Sequence, residues 1–282
     1  MRRPVAAAAE RLVRRSVAEL RRLEGLFSLY RADSALVQLN RRGVLEAPPR
    51  ELVEVLAETE RFAALTGGAF DPTVQPLWSL YAGHFSRPDA DPAGPGPDAL
   101  RAALDRVSHR HLLVGRDRIV LARRGAALTL NGIAPGYVTD RIVDLLRAEG
   151  TERTLVDMGE SRCVGMRPDG RPWQVVVADP DEPGQIDRTL EIADGAVATS
   201  GGYGYRFDPQ GRFNHLFDPR TGLSAQQYRS VTVVLPTAAA ADALSTAFSH
   251  MPLGAIGKTL KMLGTGRTHV LTAARERVML AA

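Results

Sequence analysis

Residues 230–248 read SVTVVLPTAAAADALSTAF. A β-branched run ends at Pro236, and Thr237 stands as an N-cap before a stretch of small residues. The pattern predicts a strand over 229–235 and a helix from about 238 to 250. Asp242 and Thr246 are four residues apart and share one face of that helix, with Ser245 beside them. A carboxylate with hydroxyl oxygens is a hard donor set, suited to Mg²⁺ rather than Zn²⁺. The same residues also read as an exposed polar stripe.

Outward from this stretch, the second half predicts strands over 153–158, 162–166, 173–178, 188–192, 195–200 and 213–217. A helix over 254–264 and a closing hairpin over 267–280 follow. In the first half, helical spacing of Val13, Val17, Leu20, Leu23 and Phe27 predicts a helix over 7–27. A second helix covers 51–66, with Leu52, Val55, Leu56, Thr59 and Phe62 inward and Gly67-Gly68 as its stop. Tyr30 to Asn40 reads as turn-rich. Residues 86–98, with prolines at 88, 92, 95 and 97, read as a surface loop and the strongest candidate for disorder. A helix over 98–107 precedes short strands near 111–115 and 118–122. Leu128 and Leu130 suggest another strand, and a helix over 136–148 closes with Gly150 at C′. Strands and helices mix without strict alternation, which predicts an α+β fold of mixed sheets flanked by helices, in one domain over 1–282.

The 282 residues are 44% hydrophobic and 24% charged, which excludes disordered, collagenous and low-complexity classes. The net charge is +4, yet of the 36 basic residues Lys258 and Lys261 are the only lysines. Phosphate grooves usually recruit lysine as well, so the charge does not indicate nucleic acid. The run Arg11, Arg14, Arg15, Arg21 and Arg22 reads as a solvated helix face. The lone Cys163 excludes a disulfide framework. No apolar stretch approaches a membrane span. Arg2-Arg3 and a short Ala run lack the apolar core of a secretory signal, leaving a cytoplasmic protein or one whose leader precedes this sequence.

Three further clusters carry candidate chemistry. Thr66-Gly67-Gly68-Ala69-Phe70-Asp71-Pro72-Thr73 combines close backbone approach with a carboxylate, or is a helix stop and an Asp-Pro turn. Leu130-Asn131-Gly132-Ile133-Ala134-Pro135-Gly136-Tyr137 enters the helix that carries Asp140. It offers N–H groups to an anion and carbonyls to a cation, or is a plain connection. Ala198-Thr199-Ser200-Gly201-Gly202-Tyr203 precedes His215-Leu216-Phe217-Asp218-Pro219-Arg220-Thr221-Gly222, a candidate phosphate and acid/base region that turn chemistry also explains in part.

Taken in order, the stretches FSLYRADSALVQLN (27–40), TGGAFDPTVQPLW (66–78), LNGIAPGYVTDRIVDLL (130–146), VATSGGY (197–203), HLFDPRTG (215–222) and that over 230–248 resemble the ApbE family of FAD:protein FMN transferases. The chain is most similar to the NosX-like branch, associated with nitrous-oxide respiration. The resemblance implies a T-fold-related architecture and Mg²⁺-dependent transfer of FMN from FAD to a Thr or Ser hydroxyl of an acceptor flavoprotein, with release of AMP. FAD hydrolysis to FMN and AMP, or flavin binding without turnover, are the alternatives. It further implies that Asp242, Thr246, Ser245 and the Ala134 carbonyl hold the metal. Phe27, Ala69, Phe70, Asp71, Asn131 and Leu216 line the FAD site, and His215 is the base. The family's lysine is Pro135 here, its acidic residue is Gly202, and its Asp-Leu-Gly-Gly run reads Asp157-Met158-Gly159-Glu160. A strand and an export signal before residue 10, hence a periplasmic setting, are also implied.

Overall fold

The computed structural model describes residues 2–182 and 184–282, and side chains from residue 7 onward. Its centre is a six-stranded antiparallel sheet in the order β11-β10-β9-β8-β5-β4. The strands are β4 (Thr154–Asp157), β5 (Ser161–Val164), β8 (Gly195–Ser200), β9 (Tyr228–Leu235), β10 (Arg267–Thr272) and β11 (Arg277–Ala281). β9 is buried from Ser230 to Leu235 because both of its faces are covered. Val231, Val233 and Leu235 enter the main core, and Val234 enters a second core under the hairpin β6 (Trp173–Ala178) and β7 (Ile186–Ile192). Cys163 lies in that second core, where burial pushes its thiol up to about 11.

Helices cover the other face. α7 (Ala238–Phe248) lies on β8 and β9, with α6 (Ala134–Ala148) against it. Thr237 caps α7 by accepting from Ala240 N, and Gly150 (φ +87°) takes the left-handed position after α6. α1 (Arg2–Phe27) and α3 (Arg50–Leu65) complete the layer. Leu52, Val55, Leu56, Thr59 and Phe62 are all buried as expected. Leu23 and Phe27 are buried, but Val13 and Val17 are exposed, so the apolar face of α1 is used only near its C-terminus. On its polar face Arg15 pairs with Glu149, and Arg22 with Glu19 and Glu51. Among the described residues no helix is long and apolar enough to cross a membrane.

A small sheet, β1-β3-β2 (Val44–Glu46, Arg118–Leu121, Leu112–Val114), packs beside α2 (Ala35–Arg42). α2 corrects the turn-rich reading of 30–40. Ser34 accepts from Val37 N at 3.1 Å as N-cap, Leu36 and Leu39 are buried, and Gly43 (φ +73°) ends the helix. Leu128 and Leu130 are not in a strand. The Asn40 amide takes the place of a neighbouring strand, accepting from Leu128 N (2.7 Å) and donating to Leu128 O (2.8 Å). Residues 213–217 form only isolated bridges, Arg206 with Asn214 and Phe217 with Ser224. The 86–98 loop is a series of turns tied down at its middle and running into the next helix. Asp91 O accepts from His84 Nε2 (2.9 Å), Pro92 O accepts from Arg212, and α5 begins at Pro97 (Pro97–Leu104).

An unexpected helix, α4 (Gln75–Phe85), carries a separate aromatic core. Tyr81 meets Phe207, Phe213 and Phe217 at centroid distances of 5.1–5.8 Å, and Trp78 meets Tyr205 and Phe207 at 6.1 and 6.0 Å. This cluster supports the 201–217 segment in place of a strand.

Candidate active site

Two glycines set the geometry. A Cβ on Gly136 would lie 2.3 Å from Ala238 O, and one on Gly132 would lie 2.9 Å from Thr246 Oγ1. The start of α6 therefore touches the start of α7, and the two helices exchange carboxylates. Asp242 Oδ2 accepts from Gly136 N (3.1 Å), while the Asp140 oxygens accept from Ala238 N and Ala239 N (2.9 Å each) and pair with Arg162. Each N-terminus thus gains a negative charge from the other helix.

The remaining Asp242 oxygen makes no hydrogen bond among the described residues. It borders a cavity of about 320 Å³, lined also by Asn131, Thr199, Ser200, Thr246, Glu160 and His215. Glu160 follows the β4–β5 turn, and its Oε2 is buried with no hydrogen-bond partner. Burial pushes the Asp242 carboxyl far above the usual carboxylate range, with the nearby Asp140 charge adding to it. Burial does the same to Glu160, reinforced by the charge of Asp242 and then Asp157. Among the described residues no Lys or Arg lines the cavity. Two buried carboxyls with hydroxyls and no basic side chain fit a hard divalent cation such as Mg²⁺. Asp242, Thr246 and Glu160 would hold it.

The four sequence clusters converge here. Thr129 N donates to Pro72 O (2.8 Å), joining the 66–73 cluster to the segment that leads into 130–137. Ser200 Oγ lies 2.7 Å from Ser245 Oγ and 3.5 Å from Thr246 Oγ1, joining the 198–203 cluster to α7. Ser245 stands behind Ser200 and also donates to Asp242 O (3.0 Å), so it reaches the cavity only through that neighbour. Phe70, Asp71, Asn131 and Leu216 line the cavity. Asp71 is committed to the backbone: one oxygen accepts from Thr73 N and Oγ1 (2.8 and 2.6 Å), the other from His109 N (2.7 Å). Ala69 is buried in the wall behind. Phe27 and Ala134 do not reach this cavity. With Leu23, Pro135, Val138 and Met158 they line an adjoining apolar groove of about 250 Å³, which shares Tyr30 and Asn131 with the cavity.

His215 sits at the lip of the cavity. Its Nδ1 donates to Tyr205 O (3.3 Å), which leaves Nε2 unprotonated, and burial lowers its pKa below the ordinary histidine value. Gly204 packs against the ring, where a Cβ would lie 3.1 Å from His215 Cε1. Gly202 is equally confined. A Cβ there would lie 2.8 Å from Asn214 Nδ2, so Asn214 occupies the room an acidic side chain would need. Pro135 stands in the first turn of α6, where a missing N–H costs no hydrogen bond. Glu160 and Trp78 escaped the site reading, while Ser200 and Tyr203 stood in the 198–203 cluster with no role of their own. The signal for Glu160 was a carboxylate at the end of a Gly turn, beside a strand.

Fold and site define an α+β protein with an acid-lined, oxygen-donor pocket and a neutral imidazole at its lip. The ApbE family model matches residues 3–268, and the chain belongs to the ApbE family. It is 30% identical over 262 residues to the FAD:protein FMN transferase of Haemophilus influenzae, covering 86% of this chain and 73% of that one. To the Treponema pallidum FAD:protein FMN transferase it is 36% identical over 250 residues, covering 81% and 68%. Among solved structures, the ApbE protein of Thermotoga maritima superimposes with a TM-score of 0.85 at 27% identity, covering 96% and 89%. The flavin transferase ApbE of Vibrio cholerae does so with 0.81 at 27% identity, covering 97% and 88%.

Proposed function

We propose that this chain, acting as one domain, transfers FMN from FAD to a threonine or serine hydroxyl of an acceptor flavoprotein and releases AMP. The observation that carries the reading is the cavity's charge: among the described residues it holds buried carboxyl oxygens and no basic side chain. A diphosphate can be held there only together with a cation, which family membership and the oxygen donors both favour. Bound Mg²⁺ would supply charge neutralisation on the diphosphate and on departing AMP. Asp242, Glu160 and Thr246 would hold it, with Ser245 supporting Ser200 and the Asp242 backbone from behind and Ala134 in the adjoining groove. The apolar groove beside Phe27 suits an aromatic ring of FAD. In the transfer, the acceptor oxygen bonds to the phosphorus of the FMN half. The bond from that phosphorus to the AMP oxygen breaks, its electron pair leaving on AMP. The hydroxyl proton passes to His215 Nε2. The acceptor is an exported or membrane-bound electron-transfer protein, met in the periplasm. In the NosX-like branch it belongs to nitrous-oxide reduction.

Incubation with FAD, Mg²⁺ and an acceptor should add the mass of one FMN to the acceptor. Asp242→Ala should lower the rate by about 100-fold or more. AMP release with no labelled acceptor would overturn transfer in favour of hydrolysis.

A further inference from the structure

The charge of the chain is not spread evenly. Residues 105–125 carry Arg106, Arg110, Arg116, Arg118, Arg123 and Arg124 against Asp105 and Asp117, a net charge of +4. The whole chain also has +4, so the remainder is balanced. All six arginines are exposed, and among the described residues none pairs with a carboxylate. Around the large sheet, by contrast, Arg162, Arg188, Arg229, Arg275 and Arg277 each pair with an aspartate.

The basic segment forms β2 and β3 of the small sheet. Leu45, Leu112, Ile119 and Leu121 enter the main core. Alternation puts Val44, Leu113 and Val120, which are register partners across the three strands, on the opposite face with Arg118. Leu113 is 54% exposed there, and Glu46, opposite Arg118, is the acid of that face. Arg116 lies in the β2–β3 turn at one end of the sheet, and Arg110, Arg123 and Arg124 lie at the other. Beside that second end Arg106, Arg123 and Arg124 line a cleft of about 630 Å³. Two of their stems are held in place. Arg123 Nε donates to Asp105 O (3.1 Å), and Arg106 packs on Gly125, where a Cβ would lie 3.2 Å from Arg106 Nε.

We propose that this face docks on a bilayer surface of anionic phospholipid, with Leu113 entering the interface and the arginine cleft taking a phosphate headgroup. An apolar centre flanked at both ends by unpaired guanidinium groups matches such a surface in charge and in polarity. The arginine stems can lie along the apolar layer while their heads stay among the phosphates. A single-stranded nucleic acid would want stacking platforms, and residues 105–125 contain no Phe, Trp or Tyr. The face is tied to the rest of the molecule through His109 N, which donates to Asp71 Oδ2 (2.7 Å) in the wall of the cation cavity. Docking does not require that the chain transfer FMN.

The test is co-sedimentation of the full chain with vesicles of phosphatidylcholine, alone or with about 30% phosphatidylglycerol, at about 0.1 M salt. The anionic vesicles should bind it about tenfold or more tightly than the neutral ones, and about 0.5 M salt should release it. Arg123→Ala with Arg124→Ala should weaken binding by about tenfold or more, and Leu113→Ser by about threefold or more. Arg11→Ala with Arg21→Ala removes the same charge from α1 and should change binding by less than about twofold. Thermal melts and FAD affinity should match wild type for every variant, since none of these residues lines the cavity. Equal binding to both vesicles, or equal loss from the two arginine pairs, overturns the proposal. So does polyglutamate binding as tight as that of anionic vesicles, which would make the face a site for acidic protein. Inorganic phosphate should release the chain no better than chloride at equal ionic strength. Release at far lower concentration would make the cleft a site for free phosphate and overturn the bilayer assignment.

Discussion

Glu160 and Asp242 line one cavity, and the Asp242 charge adds to burial in making Glu160 harder to ionise. Glu160→Gln leaves the shape intact and removes one charge. We expect it to weaken Mg²⁺ binding by about 10- to 100-fold, read by calorimetric titration. His215 is neutral over a wider range than an ordinary histidine because burial opposes its charging. At saturating Mg²⁺, the acid limb of the transfer rate should therefore fall below about pH 6.5, and His215→Ala should remove it. An acid limb at or above that pH would sink the assignment of His215 as base. Asp242 and Thr246 were legible because helical spacing places them together without further knowledge of the fold. Glu160 was not, because only the β4–β5 reversal brings it to α7. Asp71 looked like a free carboxylate, yet two backbone N–H groups and a hydroxyl occupy it, and sequence does not distinguish a bound carboxylate from a free one.

Helix N-termini α6 and α7 touch through Gly136, and Gly136→Ala should push them apart. The clash is with a backbone carbonyl, which cannot swing away, so a loss of about 1–3 kcal/mol in denaturant unfolding is expected, along with weaker Mg²⁺ binding. Ser34→Ala should cost about 1 kcal/mol by removing the α2 cap, with Mg²⁺ binding unchanged. The sequence disclosed α3, α6 and α7 through apolar period and caps. It hid α4 because that helix is apolar over much of its surface, with Leu77 and Tyr81 in an aromatic core and Trp78 against Tyr205, so no polar stripe marks it. The 128–130 segment was misread for a different reason: its apolar alternation is real, but a side-chain amide satisfies its backbone.

Across the whole molecule, the paired carboxyls link stability to pH. Their folded pKa values are raised, so between the unfolded value near 4 and the folded ones the native state binds more protons than the unfolded state. Stability of the metal-free protein should therefore fall as pH rises from about 5 to 8, and added Mg²⁺ should restore it most at the upper end. Thermal melts with and without Mg²⁺ across that range check this, and a parallel pair of curves would refute it. The α+β class and most strand positions were legible from alternation, but the layering was not. β9 is covered on both faces because the β6–β7 hairpin folds back on it, a long-range event with no local mark. The small aromatic core under residues 205–217 has a further consequence. It shares no buried member with the main core, so the 205–217 wall of the site stands on its own foundation. Val74, Trp78 and Phe217 of that core also line the cavity, so a packing defect there reaches the cavity wall without passing through the main core.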